Sequence, residues 1–139
     1  MGGNGTASVN GNIPADEQKY QSQAVFTDPE FGEIKIVEWT GTNQDKTPEE
    51  SNSAPRIYAT FSKDGSGLNE IASYGEDHKK EWALHMRPHN SKAAQKDGTA
   101  VNGPHIHIWE NGKPVGKPQL LTSDDPRFGL LQRLINFYN

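Results

Sequence analysis

The sequence predicts an α+β domain: a mostly antiparallel, twisted sheet, a C-terminal helix packed on one face, and a flexible N-terminal leader. Three observations support this fold class. Several short segments alternate apolar and polar residues, as half-buried strands do. An Asn-Gly pair at 111–112 indicates a tight β-hairpin. Apolar residues near the C-terminus recur at helical spacing.

Composition is typical of a single loop-rich domain. The chain has 139 residues, of which 14 are Gly and 9 are Pro, and only 32% are hydrophobic. It has no cysteine, which excludes disulfides and thiolate zinc sites. No apolar run approaches the ~20 residues that cross a bilayer. The N-terminus also lacks the layout of a signal peptide, so we expect no membrane association.

The net charge of −4 is unevenly distributed. The first 55 residues carry three lysines and nine acids, whereas the remainder carries eleven Lys or Arg, nine acids and all five histidines. The histidine-bearing part therefore has a small positive excess. This excess is compatible with a nucleic-acid partner, although no dense basic stripe exists.

The chain divides into a leader and one domain. Residues 1–22 are expected to be a flexible leader or linker, because the Gly/Asn-rich start has no periodicity. Pro14 and the acids that follow it indicate a short helix to about Ala24. Residues 23–139 then form a single α+β domain that carries the histidine site.

Alternation predicts three early strands, over 33–39, 56–61 and 68–74. A Gly-containing turn at 63–67 precedes the third. The polar segment 40–55 has no apolar anchors and is expected to be a loop, and its acid-rich part at 45–50 is expected to be solvated.

The segment 81–87 is predicted to be a further strand, with His85 and Arg87 on its polar face. A helix over 77–86 is the alternative, because Lys and Glu are good helix formers. Pro88 ends either element.

The C-terminal third is predicted to contain a loop, a hairpin and a helix. Residues 89–102 are the polar loop, and strands at 105–110 and about 113–121 flank the Asn-Gly turn. Acids and a proline at 123–126 indicate a helix start. The apolar face of that helix is expected to comprise Phe128, Leu131, Ile135 and Tyr138.

The most informative stretch is Gly-Pro-His-Ile-His-Ile-Trp at 103–109. In a strand, His105, His107 and Trp109 share one face, while the two isoleucines face the core. If the strand at 81–87 belongs to the same sheet, His85 and Arg87 lie on the histidine side as well.

Such a group is suited to cleaving RNA without a cofactor. His105 and His107 would act as the general acid and base, with His85 and Arg87 assisting. Trp109 would stack on a base. Three residues of the neighbouring loop would help to bind the substrate: His89, Lys92 and Lys96.

Two alternatives remain open. The same histidines can hold Zn²⁺ with a position left for water, which would make the protein a zinc-dependent hydrolase. The spacing of His85 and His89 matches half of a helical zinc motif, but with Pro88 inside it. The other alternative is a non-enzymatic binding protein whose histidines line an exposed face.

Residues 103–108, with Asn-Gly-Lys-Pro-Val at 111–115, resemble the last motif strand of the lysostaphin-type zinc endopeptidases. The resemblance covers some fifteen residues. It implies that His107 binds the metal and that His105 assists catalysis. The family also has an earlier His and an Asp, and no upstream segment matches them, so that His78 or His85 would have to substitute.

Residues 89–108 are similar to uncharacterised phage and mobile-element proteins that end in Gly-x-His-x-His. The whole chain also resembles, in its general layout, the C-terminal domains of bacterial polymorphic toxins. That resemblance implies a small nuclease, with RNA preferred to DNA as its substrate, in the cytoplasm of a target or host cell. It also implies an immunity protein as partner.

Overall fold

A computed structural model of the protein describes residues 20–39, 47–48, 51, 55–61, 67–86, 91–98 and 100–138. Seven strands form one sheet, in which they are ordered as in the sequence. The strands are β1 (Tyr20–Asp28), β2 (Gly32–Trp39), β3 (Arg56–Phe61), β4 (Leu68–Tyr74), β5 (Lys80–His85), β6 (His105–Glu110) and β7 (Lys113–Leu120). The helices are α1 (Lys92–Asp97) and α2 (Pro126–Tyr138).

The predicted α+β class is confirmed, since every neighbouring pair of strands is antiparallel except β2 and β3. Parallel neighbours need a long crossover, and 40–55 is the segment that connects these two strands. The described residues Thr47, Pro48 and Ser51 are buried, so the expectation that 45–50 is solvated is wrong at Thr47 and Pro48. The Thr47 amide donates to Glu70, and the Tyr74 hydroxyl donates to the Pro48 carbonyl.

The predicted short helix to Ala24 is wrong from Tyr20 onward, because Tyr20–Asp28 is strand β1. Pairing with β2 decides this, and Ala24 and Phe26 pack partly buried against the core. Residues 1–19 lie outside the described part of the chain, and so do 63–66 of the predicted turn.

The helical alternative for 77–86 is also wrong, since Lys80–His85 is strand β5. Conversely, the predicted loop 89–102 contains α1. The Ser91 side chain caps this helix by accepting the Ala94 amide at 3.1 Å, and Gly98 ends it with a φ of 78°.

The predicted Asn-Gly hairpin is confirmed. Asn111 and Gly112 have φ values of 54° and 79°, as a type I′ turn requires at both central positions. Glu110 pairs with Lys113 across this turn, which joins β6 to β7.

The larger core lies between the sheet and α2, as predicted. Leu130 and Leu134 are fully buried and Leu131 nearly so. The buried face of α2 therefore differs from the predicted apolar face. It includes Leu130 and Leu134, whereas Tyr138, which was predicted to belong to it, is 43% exposed. We call this side of the sheet the helix face, and its buried members are Ile34, Ile36, Ile57, Ala59, Phe61, Ile71, Leu84 and the three leucines.

Within the described residues, neither helix has both the length and the apolar character needed to cross a membrane.

An ion pair joins α2 to the turn between β1 and β2. The Asp28 side chain is fully buried. Its carboxylate accepts hydrogen bonds from Arg133 Nε at 2.6 Å and from the amides of Glu30 and Phe31. The hydrogen bond from Arg133 lowers the pKa of Asp28, and the two amides add to this effect against the opposing effect of burial.

We expect Asp28→Asn to lower the free energy of unfolding by about 1–2 kcal/mol at neutral pH, because charge-assisted hydrogen bonds are lost. Because the pKa of Asp28 is lowered in the folded state, its carboxylate stabilises the fold fully at pH values above the unfolded pKa of about 3.9. This stabilisation decreases progressively as the pH falls below that value. The difference between wild type and variant, measured by urea unfolding, should therefore shrink below about pH 4. Glu33→Gln, which removes an exposed acid of β2, is the control and should show no such difference.

Candidate functional site

Three histidines lie together on the side of the sheet opposite α2, which we call the histidine face. β5 and β6 are neighbours in a register that pairs His85 with His105 and Ala83 with His107. Leu84 pairs with Ile106 on the helix face, and both are buried. The predicted convergence of the three histidines thus follows from alternation in two adjacent strands.

The imidazole rings are in mutual contact. Their centroids are 5.4 Å apart for His85 and His105, 4.5 Å for His85 and His107, and 4.9 Å for His105 and His107. One ring nitrogen from each lies within 4.8 Å of the other two. The pairing of β6 with β7 shifts register between Ile106 and Ile108, which pair with Gln119 and Val115. Opposite His107, β7 therefore has two more residues than β6, and the bulge lies on β7.

The three rings differ in exposure. His105 is 2% exposed, and its Nδ1 is 2.9 Å from the Gly103 carbonyl oxygen. Because a carbonyl can only accept, Nδ1 carries the proton, and the lone pair of a neutral His105 is on Nε2. His107 is partly buried, and the His85 side chain is 35% exposed. Solvent therefore reaches the cluster at His85.

A buried carboxylate, which the sequence analysis did not single out, holds one of the rings. Glu70 is 3% exposed and pairs with His85 across β4 and β5. His85 Nε2 donates to Glu70 Oε2 at 2.7 Å, and the Thr47 amide donates to Oε1 at 2.7 Å. Alternation along β4 puts Glu70 on the same face as Ala72 and Tyr74, and this is the signal that would have found it.

Glu70 is ionised in this setting. Burial raises the pKa of its carboxyl, but the hydrogen bond from His85, the positive charge of Lys80 and the Thr47 amide outweigh that effect and lower the pKa to about 2. Lys80 Nζ lies 3.7 Å from Oε2. The Lys80 side chain is only 10% exposed, so the pair is shielded from solvent and salt.

Trp109 extends the site along β6. Its ring centroid is 5.8 Å from that of His107, and Lys80 Nζ lies 5.7 Å from the same centroid. A cavity of about 480 Å³ opens beside this ring. The cavity is lined by Glu76, Asp77, Lys80, Glu81, Trp109, Glu110 and Asn111.

The other predicted site residues are not brought to the cluster by the described structure. Arg87 and His89 lie outside the described residues. Lys92 and Lys96 are exposed on α1. Across 67–86, 91–98 and 100–138, no hydrogen bond, ion pair or ring contact joins either lysine to the three histidines. Their role in substrate binding stays a prediction.

No family model, curated protein or solved structure matches this chain. The resemblances to toxin domains, phage proteins and zinc endopeptidases therefore stay predictions.

Proposed function

We propose that the protein is a metal-dependent hydrolase in which His85, His105 and His107 bind a divalent transition-metal ion, most favourably zinc. The observation that carries this proposal is the approach of three imidazole nitrogens to within 4.8 Å of one another. Around a tetrahedral zinc ion, nitrogens at 2.0–2.1 Å from the metal lie roughly 3.3 Å apart. Small side-chain rotations would therefore close the three rings around the ion.

The surroundings of the ligands support the proposal. Metal-binding histidines donate their second N–H to a carboxylate or a backbone carbonyl, which fixes the tautomer and the ring orientation. His105 has such a partner in the Gly103 carbonyl, and His85 has one in the Glu70 carboxylate. An all-imidazole set suits zinc, copper, iron or nickel better than calcium or magnesium, which take oxygen ligands.

Three protein ligands leave a fourth position for water, which distinguishes catalytic from structural zinc sites. A bound zinc ion would lower the pKa of that water to about 7 and supply a nucleophile at neutral pH. In this chain, His85 marks the side from which water and substrate enter. Trp109 provides a flat apolar surface next to His107.

A metal-independent ribonuclease is the second candidate. It is favoured by the short distance between the His85 and His107 rings and by the ionised Glu70 that orients His85. Two features weigh against it. His105, the expected partner in the acid–base pair, is 2% exposed. The cavity beside Trp109 carries four acids, which would repel a polyanion such as RNA.

Metal titration of the purified protein tests the proposal. After chelator treatment, wild type should bind one equivalent of Zn²⁺ or Co²⁺, and Co²⁺ should give a tetrahedral absorption spectrum. His107→Ala should weaken binding by at least about 100-fold, since losing a ligand costs more than losing an outer-shell partner. His78→Asn is the matched control, because it removes an exposed histidine outside the cluster and Asn tolerates its φ of 70°.

Incubation with total RNA separates the two candidates. Cleavage by wild type that persists in chelator and disappears in His107→Ala would establish the ribonuclease. The absence of stoichiometric metal binding would refute the metal centre. Binding of one equivalent, lost in His107→Ala and kept in His78→Asn, would establish it.

A further inference from the structure

We infer that Glu70 is a positioning residue that selects which nitrogen of His85 binds the metal. Its carboxylate holds the proton on His85 Nε2 and leaves the lone pair on Nδ1 for the ion. The expected effect of Glu70 on metal binding rests on the proposed function. Its structural part, the protonation state of His85, concerns the metal-free protein as well.

Both carboxylate oxygens of Glu70 are already engaged. Oε2 accepts His85 Nε2 at 2.7 Å, and Oε1 accepts the Thr47 amide at 2.7 Å. Lys80 Nζ, 3.7 Å from Oε2, adds a positive charge. The side chain is 5% exposed. Its oxygens are not among the three groups that converge on the metal position, so Glu70 acts through His85.

The two neighbouring histidines are therefore held in opposite tautomers. The Gly103 carbonyl keeps the proton of His105 on Nδ1, so that His105 offers Nε2. The Glu70 carboxylate keeps the proton of His85 on Nε2, so that His85 offers Nδ1. A neutral imidazole has one lone pair, and the hydrogen bond made by the other nitrogen decides where that lone pair lies.

The isosteric variant Glu70→Gln tests this selection, because the buried Thr47 amide can only donate. A carboxamide at position 70 must turn its oxygen toward Thr47 and its amino group toward His85. An amino group donates, so His85 Nε2 would have to accept and its proton would move to Nδ1. The variant should invert the tautomer of His85 and weaken zinc binding by about 10–100-fold.

Long-range ¹H–¹⁵N correlation spectra report the tautomer, and metal titration reports the affinity. We expect the Nε2–H form in wild type, with and without zinc, and the Nδ1–H form in Glu70→Gln. Glu33→Gln is the matched control, since it removes an exposed acid from β2, which is not a neighbour of β5 or β6. It should leave both the tautomer and the zinc affinity unchanged.

The outcomes separate this inference from the proposed function. A wild type that binds no zinc refutes the metal centre, whereas the tautomer spectra still decide the role of Glu70. Zinc binding that survives in Glu70→Gln with less than twofold change overturns the inference alone. If the variant does not fold, the wild-type spectrum decides, because an Nδ1–H form of His85 overturns the inference and an Nε2–H form supports it.

Discussion

Saturating zinc should raise the midpoint of thermal unfolding of this protein by about 10–20 °C. The three ligands come from two strands that are adjacent only in the folded sheet, so the ion binds the folded state far better than the unfolded chain. A ligand at about a thousand times its Kd stabilises the folded state by about 4 kcal/mol. For a domain of this size, each kcal/mol raises the midpoint by about 3–5 °C.

Calorimetry with and without zinc measures this shift. The His107→Ala variant should show almost none of it, and His78→Asn should show all of it. An equal shift in His107→Ala would place the bound zinc elsewhere on the molecule and would contradict the three-histidine site.

Replacing Leu134 by alanine should lower the free energy of unfolding by about 2–5 kcal/mol, as buried leucines do. Leu134 is fully buried and packs among the apolar side chains of the helix face. Its removal leaves a cavity between α2 and the sheet. Urea unfolding measures the loss, and Leu120→Ala, at a leucine of β7 that is 57% exposed, should change stability by less than about 0.5 kcal/mol.

The same variant tests the separation of the two faces. The histidines lie on the side of the sheet that Leu134 does not contact, so the folded fraction of Leu134→Ala should keep the zinc affinity of wild type. A tenfold loss of affinity under conditions in which the variant is folded would show that packing of α2 controls the geometry of the histidines.

Much of the site was accessible from local pattern. Side chains alternate between the two faces of a strand. His85, His105 and His107 must therefore share a face if their strands belong to one sheet and the residues between them are buried. The role of Glu70 cannot be predicted from the sequence, because it depends on which strand lies beside β5. The sequence of β4 shows an acid on a given face, but only the pairing of β4 with β5 places it against His85.

Strand β1 shows the same limit for the fold. Its segment follows a proline and several acids, which is a helix-start pattern, and its polar residues give weak alternation. Pairing along β2 overrides that local preference, because hydrogen bonds and contacts to a neighbouring strand are gained only in the extended form. The burial of Thr47 and Ser51 could not be predicted for a related reason. Their partners, Glu70 and His78, are distant in sequence.

The local features of this protein follow from its sequence alone: the Asn-Gly hairpin, the C-terminal helix, most strands, and the shared face of His85, His105 and His107. These depend on backbone preferences and on side-chain periods of 2.0 and 3.6 residues, which a few neighbouring residues suffice to define. Only the tertiary structure decided the strand order, the burial of His105 and the pairing of Glu70 with His85. Those features arise from contacts between segments far apart in the chain, and no local pattern encodes their distance or exposure.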